Sequence, residues 1–145
     1  MYKHLLIATD GSELAAKAVE QGLALAKVLN AKATAITVSE PWTAVAPGEM
    51  ALYFPPDEYA KSAAANVAKI FNAVEAAAAK AGVACATQHV KDRYAAEGIV
   101  DAAKERGCDL IVMASHGRRG LSRLLIGSQT NRVVTHSTIP VLICR

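Results

Sequence analysis

The chain has 145 residues, 52% of them hydrophobic and 20% charged, with a net charge of +3 at pH 7. That length suits a single domain whose core needs no disulfide or metal to hold it. The composition excludes a disordered chain, no apolar run approaches the ~20 residues of a membrane-spanning helix, and the mild charge leaves nucleic acid without an electrostatic footprint.

Thirty alanines and only 5% aromatic residues favour helices packed closely on something flat. Met1-Tyr2-Lys3-His4 runs into Leu5-Leu6-Ile7, an apolar run too short for a signal-peptide core, so a cytoplasmic protein is expected. Cys85, Cys108 and Cys144 show no CxxC spacing, which suits a reducing compartment better than a disulfide framework or zinc site. Cys85 and Cys108 are expected at buried strands as small hydrophobes, with Cys144 set apart on the last strand, near any two-fold axis.

Apolar runs alternate with alanine-rich stretches. His4–Ala8 is a continuous apolar strand of the kind buried on both faces. Ser12 caps a helix from Glu13 to about Leu29, with Leu14, Ala18, Leu25 and Leu29 at helical spacing. Ala33–Val38 reads as a second strand. Glu40–Pro56, with Pro41, Pro47, Pro55 and Pro56, reads as a long connection without internal structure, the kind that is a lid, a binding loop or a disordered surface insertion. A helix from Glu58 to about Ala81 follows, capped by Asp57 and closed by Gly82. Val83–Val90 is a third strand and Ala95–Arg106 a third helix, ended by Gly107. Leu110–Met113 is a fourth strand, Ser128 to about His136 a last helix, and Pro140–Cys144 a fifth strand.

This alternation predicts an α/β fold: one domain, a five-stranded parallel sheet with helices on both faces, in the doubly wound, Rossmann-like manner. Ligands of such sheets bind beyond the carboxyl ends of the strands, where strand order switches. Three segments end strands there with small or polar residues: Ala8-Thr9-Asp10-Gly11-Ser12, Thr37-Val38-Ser39 and Met113-Ala114-Ser115-His116-Gly117. Gly127-Ser128 opens a helix, offering unpartnered N–H groups and a hydroxyl to an anion, and Gly117 lets that anion approach the backbone. Arg118, Arg119 and Arg123 lie between these glycines, where they clamp a phosphate or solvate the loop. His4 and His136 have no metal-ligand spacing and read as structural. No GxxxxGK[ST], GxGxxG or GxSxG motif is present.

The run from Met113 to Ser128 resembles the nucleotide-binding signature of the universal stress protein family: glycine, two residues, glycine, nine residues, glycine, then serine or threonine. Ala114 stands at the first glycine. Leu6-Ile7-Ala8-Thr9-Asp10-Gly11-Ser12 resembles the family's first strand and turn, and Ser137–Cys144 its final strand, so the resemblance spans the chain. It implies an adenine nucleotide alpha hydrolase-like fold and bound ATP (or ADP or AMP), accompanied by Mg²⁺. Asp10 would lie by the ribose and phosphates, with Ala8 and Thr9 on the adenine side, Val38 at the adenine edge and Met113 beside the purine. Gly117, Gly127, Ser128, Gln129 and Thr130 would face the triphosphate, with Ala114, His116 and Arg118 close by. Asp10 is the one carboxylate available there, so hydrolysis would be slow at most. The apolar strand Val141–Cys144, with the sequence ending at Arg145, is expected at a sheet edge and as the seam of a homodimer, as in family members. A dimeric scaffold that binds no nucleotide is the alternative.

Overall fold

The computed structural model describes residues 1–118 and 125–145. Its strands are β1 (His4–Ala8), β2 (Lys32–Ser39), β3 (Cys85–Lys91), β4 (Leu110–Ala114) and β5 (Val141–Cys144). All pair in parallel in the order β3-β2-β1-β4-β5, the expected doubly wound sheet. The helices are α1 (Glu13–Leu29), α2 (Trp42–Val45), α3 (Met50–Tyr53), α4 (Pro56–Ala81), α5 (Ala95–Glu105) and α6 (Ser128–His136).

Because β1 is covered on both faces, its side chains divide by parity. Leu5 and Ile7 pack with Ala18 and Leu23 of α1 and Val74 of α4. Leu6 and Ala8 join Ile99 and Ala103 of α5 and Val133 of α6 on the other face. Leu5, Leu6 and Ile7 are fully buried, each stabilising the fold by about 1.5–3 kcal/mol. Small residues set the layer spacing. A Cβ at Gly22 would meet Ile7 Cδ1 at 2.8 Å, and one at Gly98 would meet Val38 Cγ1 at 3.0 Å, so α1 and α5 lie close on the sheet.

Local signals behave as their chemistry requires at α1, where Ser12 Oγ accepts from Ala15 N–H at 3.3 Å, and at Gly82, whose φ of 69° closes α4. Three expectations need correction. Asp57 does not cap α4: the helix starts earlier, with Pro56 in its first turn and Pro55 at the cap position, because proline is preorganised for a first helical turn. The 40–56 connection is not structureless, since it contains α2 and α3. Single-turn helices leave no periodicity to read. Cys85 lies at the start of edge strand β3, half-buried, because among the described residues nothing pairs beyond β3. Cys144, on edge strand β5, is buried in the cluster that packs against α1. Among the described residues, no helix is long and apolar enough to cross a membrane.

Candidate functional site

The order of the sheet switches between β1 and β4, where the chain leaves the two strands in opposite directions and opens a crevice. A cavity of about 290 Å³ lies there. Ala8, Thr9 and Asp10 reach it from the end of β1, and Val38 from β2. Met113, Ala114, His116, Gly117 and Arg118 line it from β4 and the turn beyond, and Gly127, Ser128, Gln129 and Thr130 from the start of α6. The residues that the resemblance assigns to the site therefore line one cavity. Arg119 and Arg123 lie outside the described residues.

The sequence reading missed Ala15, Ile36, Glu40, Ala95 and Ile99, which also line the cavity. Part of this was readable: Ile36, Val38 and Glu40 follow the two-residue period of a strand, so once Val38 is placed, its alternate neighbours share its face. Ala95 and Ile99 depend on where α5 docks, which no local pattern specifies. These residues and Met113 give the cavity an apolar floor.

The polar residues divide into two groups. Several are engaged with the protein itself. Asp10 Oδ1 accepts from Ser12 N–H at 2.9 Å and Oδ2 from Arg118 N–H at 2.8 Å, tying the turn after β1 to the turn after β4. Buried Thr130 donates its hydroxyl to Ala114 O at 3.0 Å, and Gln129 Oε1 accepts from Ala96 N–H at 3.2 Å, in the first turn of α5. His116 Nδ1 lies 3.1 Å from Ser115 Oγ. The Arg118 guanidinium donates to Asn66 Oδ1 of α4 at 3.2 Å. The other group opens on the cavity. Asn131 N–H to Gly127 O, at 2.9 Å, is the first bond of the α6 ladder, and among the described residues no side chain caps that helix. The N–H groups of Ser128, Gln129 and Thr130 therefore have no backbone partner among the described residues.

Two glycines shape this end for steric reasons, without a left-handed backbone. Gly127 N–H donates to Ser115 O at 2.7 Å, and a Cβ on Gly127 would press on His116 Cα at 3.1 Å. Glycine thus lets α6 start against the end of β4. A Cβ on Gly117 would collide with the Asp10 carboxylate, so glycine there also lets the turns after β1 and β4 approach each other. Ala114 ends β4 in a strand pairing with Cys144 and has no positive φ, so its methyl group strains nothing.

Titration follows burial. The Tyr59 phenol is raised above its ordinary value by burial, then by the charges of Glu40 and Asp92. Burial lowers the pKa of His89, helped by Lys91, and pushes the Cys108 thiol up to about 11. His4 Nε2 pairs with Thr34 Oγ1 and His136 Nδ1 with Arg132 O, both structural contacts. Among the described residues, no cluster of three or more His, Cys, Asp or Glu could hold a metal.

Comparison with known proteins agrees with this architecture. The Universal stress protein family matches residues 1–145. Universal stress protein YxiE of Bacillus subtilis is 33% identical over 150 aligned residues, covering 100% of both chains. The structure of MJ0577 from Methanocaldococcus jannaschii superposes with a TM-score of 0.81 at 27% identity, covering 99% of this chain and 96% of that one. A universal stress protein in complex with cAMP shares the fold at TM-score 0.72 and 23% identity, with 99% and 97% coverage. One from Archaeoglobus fulgidus in complex with dAMP does so at 0.69 and 17%, with 99% and 98% coverage. With the match running the full length of the sequence and the signature residues gathered at one cavity, the chain belongs to the universal stress protein family.

Proposed function

We propose that this universal stress protein binds an adenine nucleotide, ATP or ADP, in the switch-point cavity and acts as a nucleotide-dependent stress-response module. The observation that carries the reading is the start of α6. Three successive N–H groups and the positive end of a nine-residue helix open onto a cavity whose remaining floor is apolar. An anion satisfies the donors, and a flat base covers the apolar floor. The cavity volume lies near the lower bound of the range for small-molecule sites, consistent with phosphates reaching toward solvent. The cAMP and dAMP complexes of proteins with this fold support an adenine base. Mg²⁺ would be held chiefly by phosphate oxygens, because both oxygens of Asp10 already accept backbone N–H groups. Hydrolysis would be slow at most, since both oxygens of Asp10 are already engaged by backbone donors.

Dimerisation belongs to the same proposal. β5 is an edge strand, Leu142 on it is exposed, and pairing with a second copy would cover that edge. Sedimentation at tens of micromolar tests this, a monomer being the contrary result. Calorimetric titration of Mg²⁺–ATP into nucleotide-stripped protein tests the binding. Saturation below millimolar is expected, and no binding at millimolar ATP would leave the dimeric scaffold reading in its place.

A further inference from the structure

The cavity has chemically opposite ends. Above β4 stand the N–H groups of α6, His116 and Arg118; above β2 stands Glu40. Glu40 lies one step past β2 on the face of Ile36 and Val38, so the cavity-facing row of that strand ends in a carboxylate. Its backbone is held in place. The Tyr59 hydroxyl donates to the Glu40 carbonyl, the Tyr59 ring meets Phe54 edge-on at 5.9 Å, and Phe54 O accepts from the Trp42 indole at 2.8 Å. The connection from 40 to 56 is therefore a brace closed on itself, fixing the residue from which it departs. Among the described residues, the Glu40 carboxylate accepts no hydrogen bond and joins no ion pair.

We infer that Glu40 is a specificity-determining residue of this cavity, its carboxylate accepting a hydrogen bond from the exocyclic amine of adenine. The inference rests on the nucleotide reading above. With a phosphate at the start of α6, β2 lies two strand spacings across from β4, about 10 Å. That matches the reach from a 5′-phosphate to the far edge of its base. The base then covers Ile36 and Val38 with its edge toward Glu40. An ionised carboxylate only accepts hydrogen bonds, so it favours an edge that carries an amine and penalises one that carries a carbonyl oxygen. It also repels phosphate from the β2 end, which disfavours the reversed orientation. Tyr59 is a positioning residue acting through the Glu40 backbone.

The test compares ATP with purine riboside 5′-triphosphate, which lacks only the 6-amino group, by calorimetric titration of nucleotide-stripped protein. The parent should prefer ATP by about ten- to a hundredfold, the range for one hydrogen bond to a charged group. Glu40→Ala should bring that ratio close to one, and Tyr59→Phe should reduce it by a smaller factor. Both variants should keep the parent's ratio of ATP to AMP affinity, which reads the phosphate end and confirms an intact fold. A parent that binds both triphosphates equally, a Glu40→Ala variant that keeps the preference, or tighter binding of GTP than ATP overturns the assignment. A parent that binds neither triphosphate overturns the nucleotide reading itself.

Discussion

Asp10 and Asp109 perform the same local task at opposite ends of the same pair of strands, with different consequences. Asp109, just before β4, accepts from Lys3 N–H at 2.8 Å and His4 N–H at 3.0 Å, fixing the start of β1. Asp10, just after β1, accepts from Ser12 and Arg118 N–H groups, fixing the turn that follows β4. Each carboxylate accepts two backbone N–H groups, both from across the strand pair at Asp109 and one, from Arg118, at Asp10. Only the Asp10 end lies where the chain diverges from the switch point, so only there does the joint also form a cavity wall. A polar residue beside a cavity can thus be engaged with the scaffold, while the groups left for a ligand are plain backbone N–H groups.

The largest expected effect breaks the Asp10 joint sterically. Gly117→Val drives a side chain into the Asp10 carboxylate, detaches Arg118 and pushes the turn into the cavity, so ATP binding should fall beyond detection at millimolar ligand. Unchanged affinity in the titration would show that the turn does not border the ligand.

The two aspartates are then compared directly. Asp10→Ala and Asp109→Ala should each lower stability by about 1–3 kcal/mol in urea unfolding, but only Asp10→Ala should also weaken ATP binding. The pH dependence follows from Asp109. Burial raises its pKa, but the N–H groups of His4 and Lys3 outweigh that effect and hold the carboxyl below its ordinary value. Its stabilisation is therefore complete above the ordinary carboxylate range and is lost as pH falls through the lowered folded value. Acid titration of Asp109→Ala against the parent should show the stability difference shrinking in that direction.

Thr130→Val and Ser128→Ala separate inward from outward groups on one helix. Thr130→Val leaves the Ala114 carbonyl without its buried donor and should lower stability by about 1–3 kcal/mol with little change in affinity. Ser128→Ala should do the reverse, weakening ATP by about 1–3 kcal/mol and leaving the melting temperature nearly unchanged. Ala114→Gly should leave affinity unchanged or slightly improved. If Thr130→Val weakens binding as strongly as Ser128→Ala, the distinction between scaffold and ligand groups fails.

The smallest effect concerns the thiols. Burial raises all three, but Cys85 lies half-buried on an edge strand while Cys108 and Cys144 are in the core. A maleimide at mildly alkaline pH should label Cys85 first in the folded protein, with mass spectrometry giving the order.

Much of the site was legible because it is coded locally. Ser12 opens a helix through its hydroxyl, and Gly82 and Gly107 close helices through a left-handed backbone. The signature places Gly117, Gly127 and Ser128 in one contiguous run. The site residues on different strands, Asp10, Val38 and Met113, were assigned by resemblance, and the parallel sheet brings them to one cavity. Less legible were the edge position of β3, the single-turn helices α2 and α3, and the direction in which each polar side chain turns.

The sequence by itself determined the alternation of strands and long helices, the start of α1, the end of α4 and the glycine-bearing turn at α6, because each depends on residues adjacent in the chain. The tertiary structure decided which groups remain for a ligand. Asp10, Gln129 and Thr130 are satisfied by Ser12 and Arg118, Ala96 and Ala114, partners that mostly lie far along the chain. Glu40 gained its place at the cavity from Tyr59 and the closed brace. Such pairings exist only after the sheet has assembled, and a buried polar group takes whichever partner the assembled fold brings within reach.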